Sequence, residues 1–164
     1  MPYTRPTTDI AKEGLFNILQ NNLDLSTLKV LDLFGGTGCI SYEMASRGAP
    51  DITVVEKDKQ MADFIKKTAA ELKFENFRVI RTEVFKFIAS AGEQYDFIFA
   101  GPPYALTTID ELPVRIFGHS LLNPRGWFVL EHTPGNDYKA LPGFKTARNY
   151  GTTIFSIFIK EGQS

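Results

Sequence analysis

Short apolar runs alternate with amphipathic stretches along most of the chain. Runs rich in β-branched and aromatic residues predict strands at residues 30–34, 52–55, 77–80, 95–100 and 127–131. Apolar residues recur at helical spacing between them, which predicts helices at residues 40–47, 58–73, 84–89 and 108–122. Because strand, crossover and strand repeat in this way, right-handed connections should build a doubly wound, mostly parallel sheet with a ligand cleft at the carboxyl ends of its strands.

The beginning of the chain predicts a further helix. Thr8 or Asp9 offers a side-chain oxygen as its cap, and the helix should run to about Gln20 before a connector over residues 21–28. The apolar stripe expected to pack on the main body consists of Ile10, Ala11, Gly14, Leu15, Ile18 and Leu19.

The end of the chain predicts a strand pair. Residues 133–143 carry two prolines and two glycines and therefore predict a loop. Strands follow at residues 144–150 and 153–160, and the tight turn around Gly151 makes them antiparallel. The expected fold is thus α/β, a mostly parallel seven-stranded sheet with a C-terminal antiparallel strand pair, in one domain over residues 1–164.

A glycine-rich turn closes the first predicted strand. Gly35, Gly36 and Gly38 follow the apolar run, and Asp32 lies near the carboxyl end of that strand. Glycine lets a ligand sit against bare peptide, and the next helix points its N-terminal amides at the same place. The pattern predicts a cradle for a nucleotide-like molecule. Asp32 either orients a ligand's ammonium group through water or binds neighbouring backbone amides.

Two glutamates follow the next two predicted strands. Glu56 lies about twenty residues past the glycine turn, where an acid accepts hydrogen bonds from both hydroxyls of a ribose. Glu83 holds the corresponding place after the third strand and is a candidate acceptor for an adenine amino group. Gly101, Pro102, Pro103 and Tyr104 follow the fourth strand. Since all these positions lie at carboxyl ends of strands, they should share one cleft.

Composition restricts the possible partners. The formal net charge is −1, so contact with nucleic acid has to come from a local patch. The single cysteine, Cys39, excludes an internal disulfide, and no apolar stretch approaches the length of a membrane span, so a cytoplasmic protein is expected. His119 and His132 have no ligand-like spacing to each other or to Cys39, and no metal site is expected.

The glycine turn lacks the dinucleotide fingerprint, because Ser41 stands where its third glycine belongs. Asp32, Phe34, Gly36 and Gly38 instead form D-x-F-x-G-x-G, which resembles motif I of the class I methyltransferases that bind S-adenosylmethionine. That resemblance implies a Rossmann-like fold. An NAD-dependent oxidoreductase stays as an alternative interpretation.

Four stretches together resemble one family of these enzymes. They are RPTTDIAKEGLFNIL, LDLFGGTGCISYEMASRGA, VVEKD and DFIFAGPPY, and they occur in the family's order across nearly the whole chain. The family is that of bacterial methyltransferases acting on the exocyclic N2 of a guanosine in small-subunit ribosomal RNA. The resemblance implies S-adenosylmethionine as cofactor, with residues 1–28 as N-terminal helix and connector and residues 29–164 as cofactor-binding and catalytic core. The implied cofactor-binding residues are Thr7, Thr8, Asp32, Phe34, Gly35, Gly36, Gly38, Glu56, Lys57, Glu83 and Val84.

The implied catalytic motif departs from the family pattern. The family has Asp-Pro-Pro-Tyr or Asn-Pro-Pro-Tyr, whereas this chain has Gly101 ahead of Pro102, Pro103 and Tyr104. The Pro102 carbonyl remains as an acceptor for the target amine and Tyr104 as a stacking surface for a flipped base, but the side-chain acceptor is missing. Weakened activity is therefore expected. A non-catalytic S-adenosylmethionine-binding module, or a methyltransferase with a different acceptor, are the alternatives.

The expected partner is small-subunit ribosomal RNA or the assembling ribosomal subunit. Family members carry a basic segment ahead of Arg-Pro-Thr, whereas only residues 1–4 precede it here. Either that segment has been removed, or RNA docking relies on Arg5, Lys12, Lys57, Lys59 and the ribosomal particle.

Overall fold

A seven-stranded sheet with helices on both faces forms the body of the protein. The computed structural model describes residues 7–103 and 105–162. The strands are β1 (Lys29–Leu33), β2 (Asp51–Val55), β3 (Phe77–Ile80), β4 (Tyr95–Ala100), β5 (Leu122–His132), β6 (Phe144–Tyr150) and β7 (Thr153–Ile159). The helices are α1 (Asp9–Asn22), α2 (Cys39–Ser46), α3 (Lys59–Glu71), α4 (Val84–Ser90) and α5 (Glu111–Gly118). None of the helices described is long and apolar enough to cross a membrane.

The strand order confirms the predicted doubly wound topology. It is β3-β2-β1-β4-β5-β7-β6, with β1 to β5 parallel and β7 antiparallel between β5 and β6. The chain winds outward from β1 in one direction and then crosses to β4 in the other. A crevice therefore opens at the carboxyl ends of β1 and β4, which is where open α/β sheets bind ligands.

Each face of the sheet carries its own apolar layer. Helices α1, α2 and α3 pack on one face, and α4 and α5 pack on the other. Strands β1 and β2 are buried from their second residue onward, because helices cover both of their faces.

Helix α1 follows the prediction with two differences. The Thr8 hydroxyl caps it by accepting a hydrogen bond from the Ala11 N–H at 3.2 Å, and the helix continues to Asn22 rather than Gln20. Ile10 is 75 % exposed, so its assignment to the buried stripe was wrong. The predicted connector contains a short 3-10 helix at Leu25–Thr27.

Helix α5 is shorter than the predicted helix over residues 108–122. Pro113 occupies its third position, within the first turn, where a missing N–H breaks no helical hydrogen bond. The helix ends before Ser120, whose φ of 55° lies in the left-handed region. Residues 133–143 form a loop with short turns, as predicted.

Strand β5 begins five residues earlier than predicted, because Leu122 already pairs with Tyr95 of β4. The register between β4 and β5 then shifts before Phe97 pairs with Trp127. Gly126 lies within this irregular segment, where a Cβ would stand 2.8 Å from the Asn123 carbonyl oxygen. The polar sequence at the start of β5 gave no apolar signal for this part of the strand.

We expect Gly126→Ala to lower the free energy of unfolding by about 1–3 kcal/mol, because backbone atoms of both strands leave no room for a methyl group. Urea unfolding followed by circular dichroism measures the change. Gly118→Ala is the matched control, since no atom lies within 4 Å of a Cβ at that position. Equal stabilities of the two variants would contradict the prediction.

Candidate functional site

The turn after β1 presents bare backbone to a cavity of about 500 Å³ at the carboxyl ends of the strands. Gly36 and Gly38 have φ values of 58° and 83°, in the left-handed region that favours glycine. Phe34 also has a positive φ of 61°, which is costly for a bulky residue and marks a constrained turn. Gly38 is the N-cap of α2, so the turn leads directly into that helix. The strand, the glycine turn and the helix therefore follow one another as the sequence predicts.

Gly35 has a different role from the other two glycines. A Cβ at this position would overlap the Val54 side chain of β2 and crowd the Ile65 side chain of α3. The Gly35 N–H also donates to the Val55 carbonyl oxygen at 3.0 Å, which continues the pairing of β1 with β2 into the turn. Gly35 thus holds the turn against the sheet while Gly36 faces the cavity.

Glu56 directly follows β2 and braces the glycine turn. Its Oε1 accepts a hydrogen bond from the Gly36 N–H at 2.9 Å, and its Oε2 accepts one from the Asp58 N–H at 2.9 Å. The side chain is buried and lines the cavity. A carboxylate has about four lone-pair sites, so each oxygen can accept a further hydrogen bond. Two backbone donors therefore fix an acceptor group at the wall of the cavity.

Asp32 is a buried carboxyl behind the same turn. Ser41 of α2 donates its hydroxyl to Asp32 Oδ2 at 2.6 Å. Burial raises the pKa of Asp32 to about 7, and the negative charges of Glu56 and Glu131 act in the same direction, while the Ser41 hydrogen bond opposes the shift. A cation bound in the cavity would favour the ionised form of Asp32.

Glu83 and Val84 line the cavity beyond β3. The Glu83 side chain caps α4, since its Oε2 accepts from the Phe85 N–H at 2.8 Å and its Oε1 from the Lys86 N–H at 3.3 Å. These bonds fix the carboxylate in place. Its predicted contact with an adenine amino group stays a prediction.

The segment after β4 contributes residues to this cavity and to a second one of about 360 Å³. Gly101 lines the first cavity, Pro102 lines the second, and Pro103 lines both. The Leu106 N–H donates to the Pro103 carbonyl oxygen at 3.0 Å and closes a tight turn. The predicted Tyr104 lies outside the described residues, as does Arg5. The three described residues of the motif thus each line one or both of the cavities.

Most of the predicted cofactor-binding residues line the first cavity. They are Thr7, Asp32, Phe34, Gly35, Gly36, Glu56, Lys57, Glu83 and Val84. Thr8 and Gly38 are outside the lining and serve as the N-caps of α1 and α2. Within residues 7–103 and 105–162, no three His, Cys, Asp or Glu side chains are grouped so that they would hold a metal ion.

Glu131 is a site residue that the sequence analysis missed. It lies near the end of β5, is 2 % exposed and lines both cavities. Its Oε1 accepts a hydrogen bond from the Thr7 hydroxyl at 2.6 Å. The signal that finds Glu56 was also present here, because an acid follows the apolar run WFVL.

The sheet order and the glycine turn define the fold of the class I methyltransferases. A solved structure described as putative methyltransferase yhhF from Escherichia coli has a TM-score of 0.86 and 26 % identity, over 99 % of this chain and 90 % of that one. A T. thermophilus 16S rRNA N2 methyltransferase, RsmC, in complex with AdoMet and guanosine has the same fold, with a TM-score of 0.77 and 20 % identity over 96 % of this chain and 45 % of that one. Residues 1–159 match the family described as conserved hypothetical protein 95, and the chain belongs to that family.

Two curated relatives carry the names of ribosomal RNA methyltransferases. Ribosomal RNA small subunit methyltransferase D of Escherichia coli K12 is 32 % identical over 130 residues, which are 79 % of this chain and 62 % of that protein. Putative rRNA methyltransferase YlbH of Bacillus subtilis is 28 % identical over 166 residues, covering 97 % of this chain and 89 % of that one. The chain thus spans about three-fifths of the length of the Escherichia coli relative. The resemblance drawn from the four sequence stretches is confirmed at the level of the family.

Proposed function

We propose that this protein is an S-adenosylmethionine-dependent methyltransferase that acts on the exocyclic N2 of a guanosine in small-subunit ribosomal RNA. The observation that carries the proposal is the pair formed by Glu56 and Gly36, a fixed carboxylate beside bare backbone in a cavity at the switch point of the sheet. The relative named as a ribosomal RNA small subunit methyltransferase supports the choice of substrate, and the relative named as a putative rRNA methyltransferase supports the reaction.

The cavity fits such a cofactor. Its volume of about 500 Å³ lies in the range of small-molecule sites, and the left-handed Gly36 leaves space at the backbone. We assign the ribose hydroxyls to Glu56, the adenine to Glu83 and Val84, and the cationic amino-acid end to the region of Asp32 and Thr7. When bound, S-adenosylmethionine supplies a methyl group on a positively charged sulfur.

The second cavity is the candidate site for the target base. Pro103 and Glu131 line both this cavity and the cofactor cavity, whereas Pro102 lines the second cavity alone. A base flipped out of RNA would enter here and present its amine toward the first cavity. The main contribution of the protein is then to hold two reactants in a productive orientation.

For the partner, we propose small-subunit ribosomal RNA or the assembling subunit, and hence action in the cytoplasm. Of the basic residues predicted to contact RNA, Lys57 lines the cofactor cavity. Lys12 pairs with Glu43 at 3.6 Å and Lys59 with Asp63 at 2.9 Å. Such surface pairs are weak, so phosphate groups can compete for both lysines.

Calorimetric titration with S-adenosylmethionine, beside a transfer assay with a tritiated methyl group, tests the proposal. We expect binding of the cofactor and label in small-subunit RNA or particles, recovered as N2-methylguanosine after digestion to nucleosides. Label on a different atom or acceptor would contradict the substrate assignment. Binding of NAD without binding of S-adenosylmethionine would contradict the reaction class.

A second candidate is a module that binds S-adenosylmethionine without catalysis. Gly101 favours it, because this position supplies no side-chain acceptor for an amine. Cofactor binding without transfer to RNA, to subunit particles or to protein would support this candidate against the first.

A further inference from the structure

Position 101 lacks a side chain, yet the space beside it is filled by a carboxylate. A Cβ on Gly101 would stand 3.3 Å from Glu131 Oε1 and 3.1 Å from Phe99 Cε2. The first distance is closer than ordinary van der Waals contact with carbon. The Glu131 carboxylate and the edge of the Phe99 ring therefore border the place where a side chain at position 101 would begin.

The sheet holds Glu131 in this place. Ala100 of β4 pairs with Leu130 of β5, so Gly101 and Glu131 stand one residue further along two neighbouring parallel strands. On its other side Glu131 pairs with Phe155 of β7. With the Thr7 hydrogen bond added, the carboxylate is set by three separate segments of the chain. A side chain held by strands is positioned more precisely than one on a loop.

The carboxylate also stands between the two cavities. Glu131 contributes to the walls of both the 500 Å³ and the 360 Å³ cavity. The amine of a base in the second cavity would therefore have to pass the Glu131 side chain to reach the cofactor cavity.

We infer that Glu131 supplies the side-chain acceptor for the exocyclic amine of the target guanosine, in the place of the acceptor that Gly101 lacks; the inference rests on the proposed function. An ionised carboxylate only accepts hydrogen bonds, and its bonds to N–H donors are stronger than neutral ones. Accepting an N–H of the amine orients its nitrogen toward the cofactor cavity. The glycine at position 101 then spares Glu131 Oε1 a contact of 3.3 Å with a Cβ.

Three variants and a control test this assignment. They are Glu131→Ala, Gly101→Asp, the double variant that combines both, and Glu111→Ala as the control. Glu111 is a carboxylate on the outer face of α5, where it pairs with Arg115 at 2.9 Å. Circular dichroism and calorimetry with S-adenosylmethionine accompany every assay, so that loss of folding or of cofactor binding is detected separately.

We expect Glu131→Ala to lower kcat for N2-guanosine methylation on the order of 100-fold. The affinity for the cofactor should fall much less, because Glu131 acts on that end of the cavity through its hydrogen bond with Thr7. Gly101→Asp alone should give no gain, because two adjacent carboxylates cannot both ionise freely. In the Glu131→Ala background the contact with Glu131 Oε1 is removed, and only the Phe99 ring has to shift by a few tenths of an ångström. The same aspartate should then restore part of the lost rate. Glu111→Ala should behave like the unmodified protein.

Several results would overturn the inference. They are an unchanged kcat in Glu131→Ala, a parallel loss of cofactor binding in that variant, a gain in rate from Gly101→Asp alone, and the absence of rescue in a folded double variant that binds cofactor. An unmodified protein that forms no N2-methylguanosine would remove the proposed function and this inference with it. Normal methylation by both the unmodified protein and Glu131→Ala would remove the inference alone.

A binding measurement gives a readout independent of turnover. Guanosine is titrated into the protein saturated with S-adenosylhomocysteine, and amide chemical shifts are followed by NMR. We expect shifts in residues around the second cavity, and a weaker guanosine affinity in Glu131→Ala but not in Glu111→Ala. Equal guanosine affinities in these two variants would overturn the contact with the amine.

Discussion

Glu56→Gln is expected to lower the affinity for S-adenosylmethionine on the order of 100-fold. Two hydrogen bonds from the ribose hydroxyls to a charged acceptor together contribute about 3 kcal/mol or more. The carboxylate accepts from the Gly36 and Asp58 N–H groups at 2.9 Å each. An amide keeps one oxygen for these donors and turns its NH2 group toward the other. The substitution therefore weakens both the ribose contact and the brace of the glycine turn.

Calorimetry measures this change, with thermal unfolding recorded to detect a loss of folding. Glu71→Gln is the matched control, since Glu71 is exposed at the end of α3 and away from the cavity lining. An affinity for Glu56→Gln equal to that of the control would show that the cofactor is held elsewhere, and the central contact of the proposed function would be lost.

Asp32→Asn is expected to raise the free energy of unfolding of the cofactor-free protein near pH 8 by up to about 4 kcal/mol. Burial raises the pKa of Asp32 from its ordinary value of 3.8 to about 7. The folded protein thus keeps a proton that the unfolded chain releases. The stability that Asp32 contributes is complete below pH 3.8 and is lost as the pH rises through about 7.

An asparagine avoids this loss because it has no charge to bury, and it still accepts the Ser41 hydrogen bond. The advantage of the variant should therefore increase between pH 5 and about 7 and then level off. Urea unfolding across this range measures it. Asp63→Asn is the control, because the Lys59 ammonium lowers the pKa of that exposed carboxyl. A difference between Asp32→Asn and the unmodified protein that is independent of pH would contradict the prediction.

The same substitution should weaken cofactor binding. S-adenosylmethionine carries positive charge at its amino-acid end, and a cation nearby favours the ionised aspartate. We therefore expect Asp32→Asn to bind the cofactor less tightly above pH 7 while unfolding at higher urea concentration. Stability given up at a binding site in exchange for function is common in proteins.

The strands with short apolar runs were the most predictable elements. Strands β3, β4 and β6 begin and end at the predicted residues, since their runs are bounded by polar residues and turns. The first five residues of β5 escaped prediction because they join the sheet through backbone pairing without an apolar pattern. Helix α5 was predicted too long, because apolar residues on either side of it, such as Ile109 and Leu121, pack into the core without being helical. The exposure of Ile10 depends on where α1 lies, which its periodicity alone does not give.

The candidate site could be predicted where a residue's place in the chain fixes its place in the fold. Glu56 follows an apolar strand, and the rule for parallel sheets brings it to the glycine turn. The contacts of Glu131 with Thr7 and of Asp32 with Ser41 depend on three-dimensional neighbours instead. Roles in cofactor binding and catalysis, and the division into residues 1–28 and 29–164, stay predictions.

The strand order assigns the two cavities to different halves of the chain. The cofactor side is built mainly by the segments after β1, β2 and β3, and the second cavity by those after β4 and β5. On the proposed function, recognition of the methyl donor and of the acceptor would then be encoded in consecutive stretches of sequence. A chimaera that exchanges only the later stretch for that of a relative with another nucleobase target would keep its affinity for the methyl donor and change what it modifies.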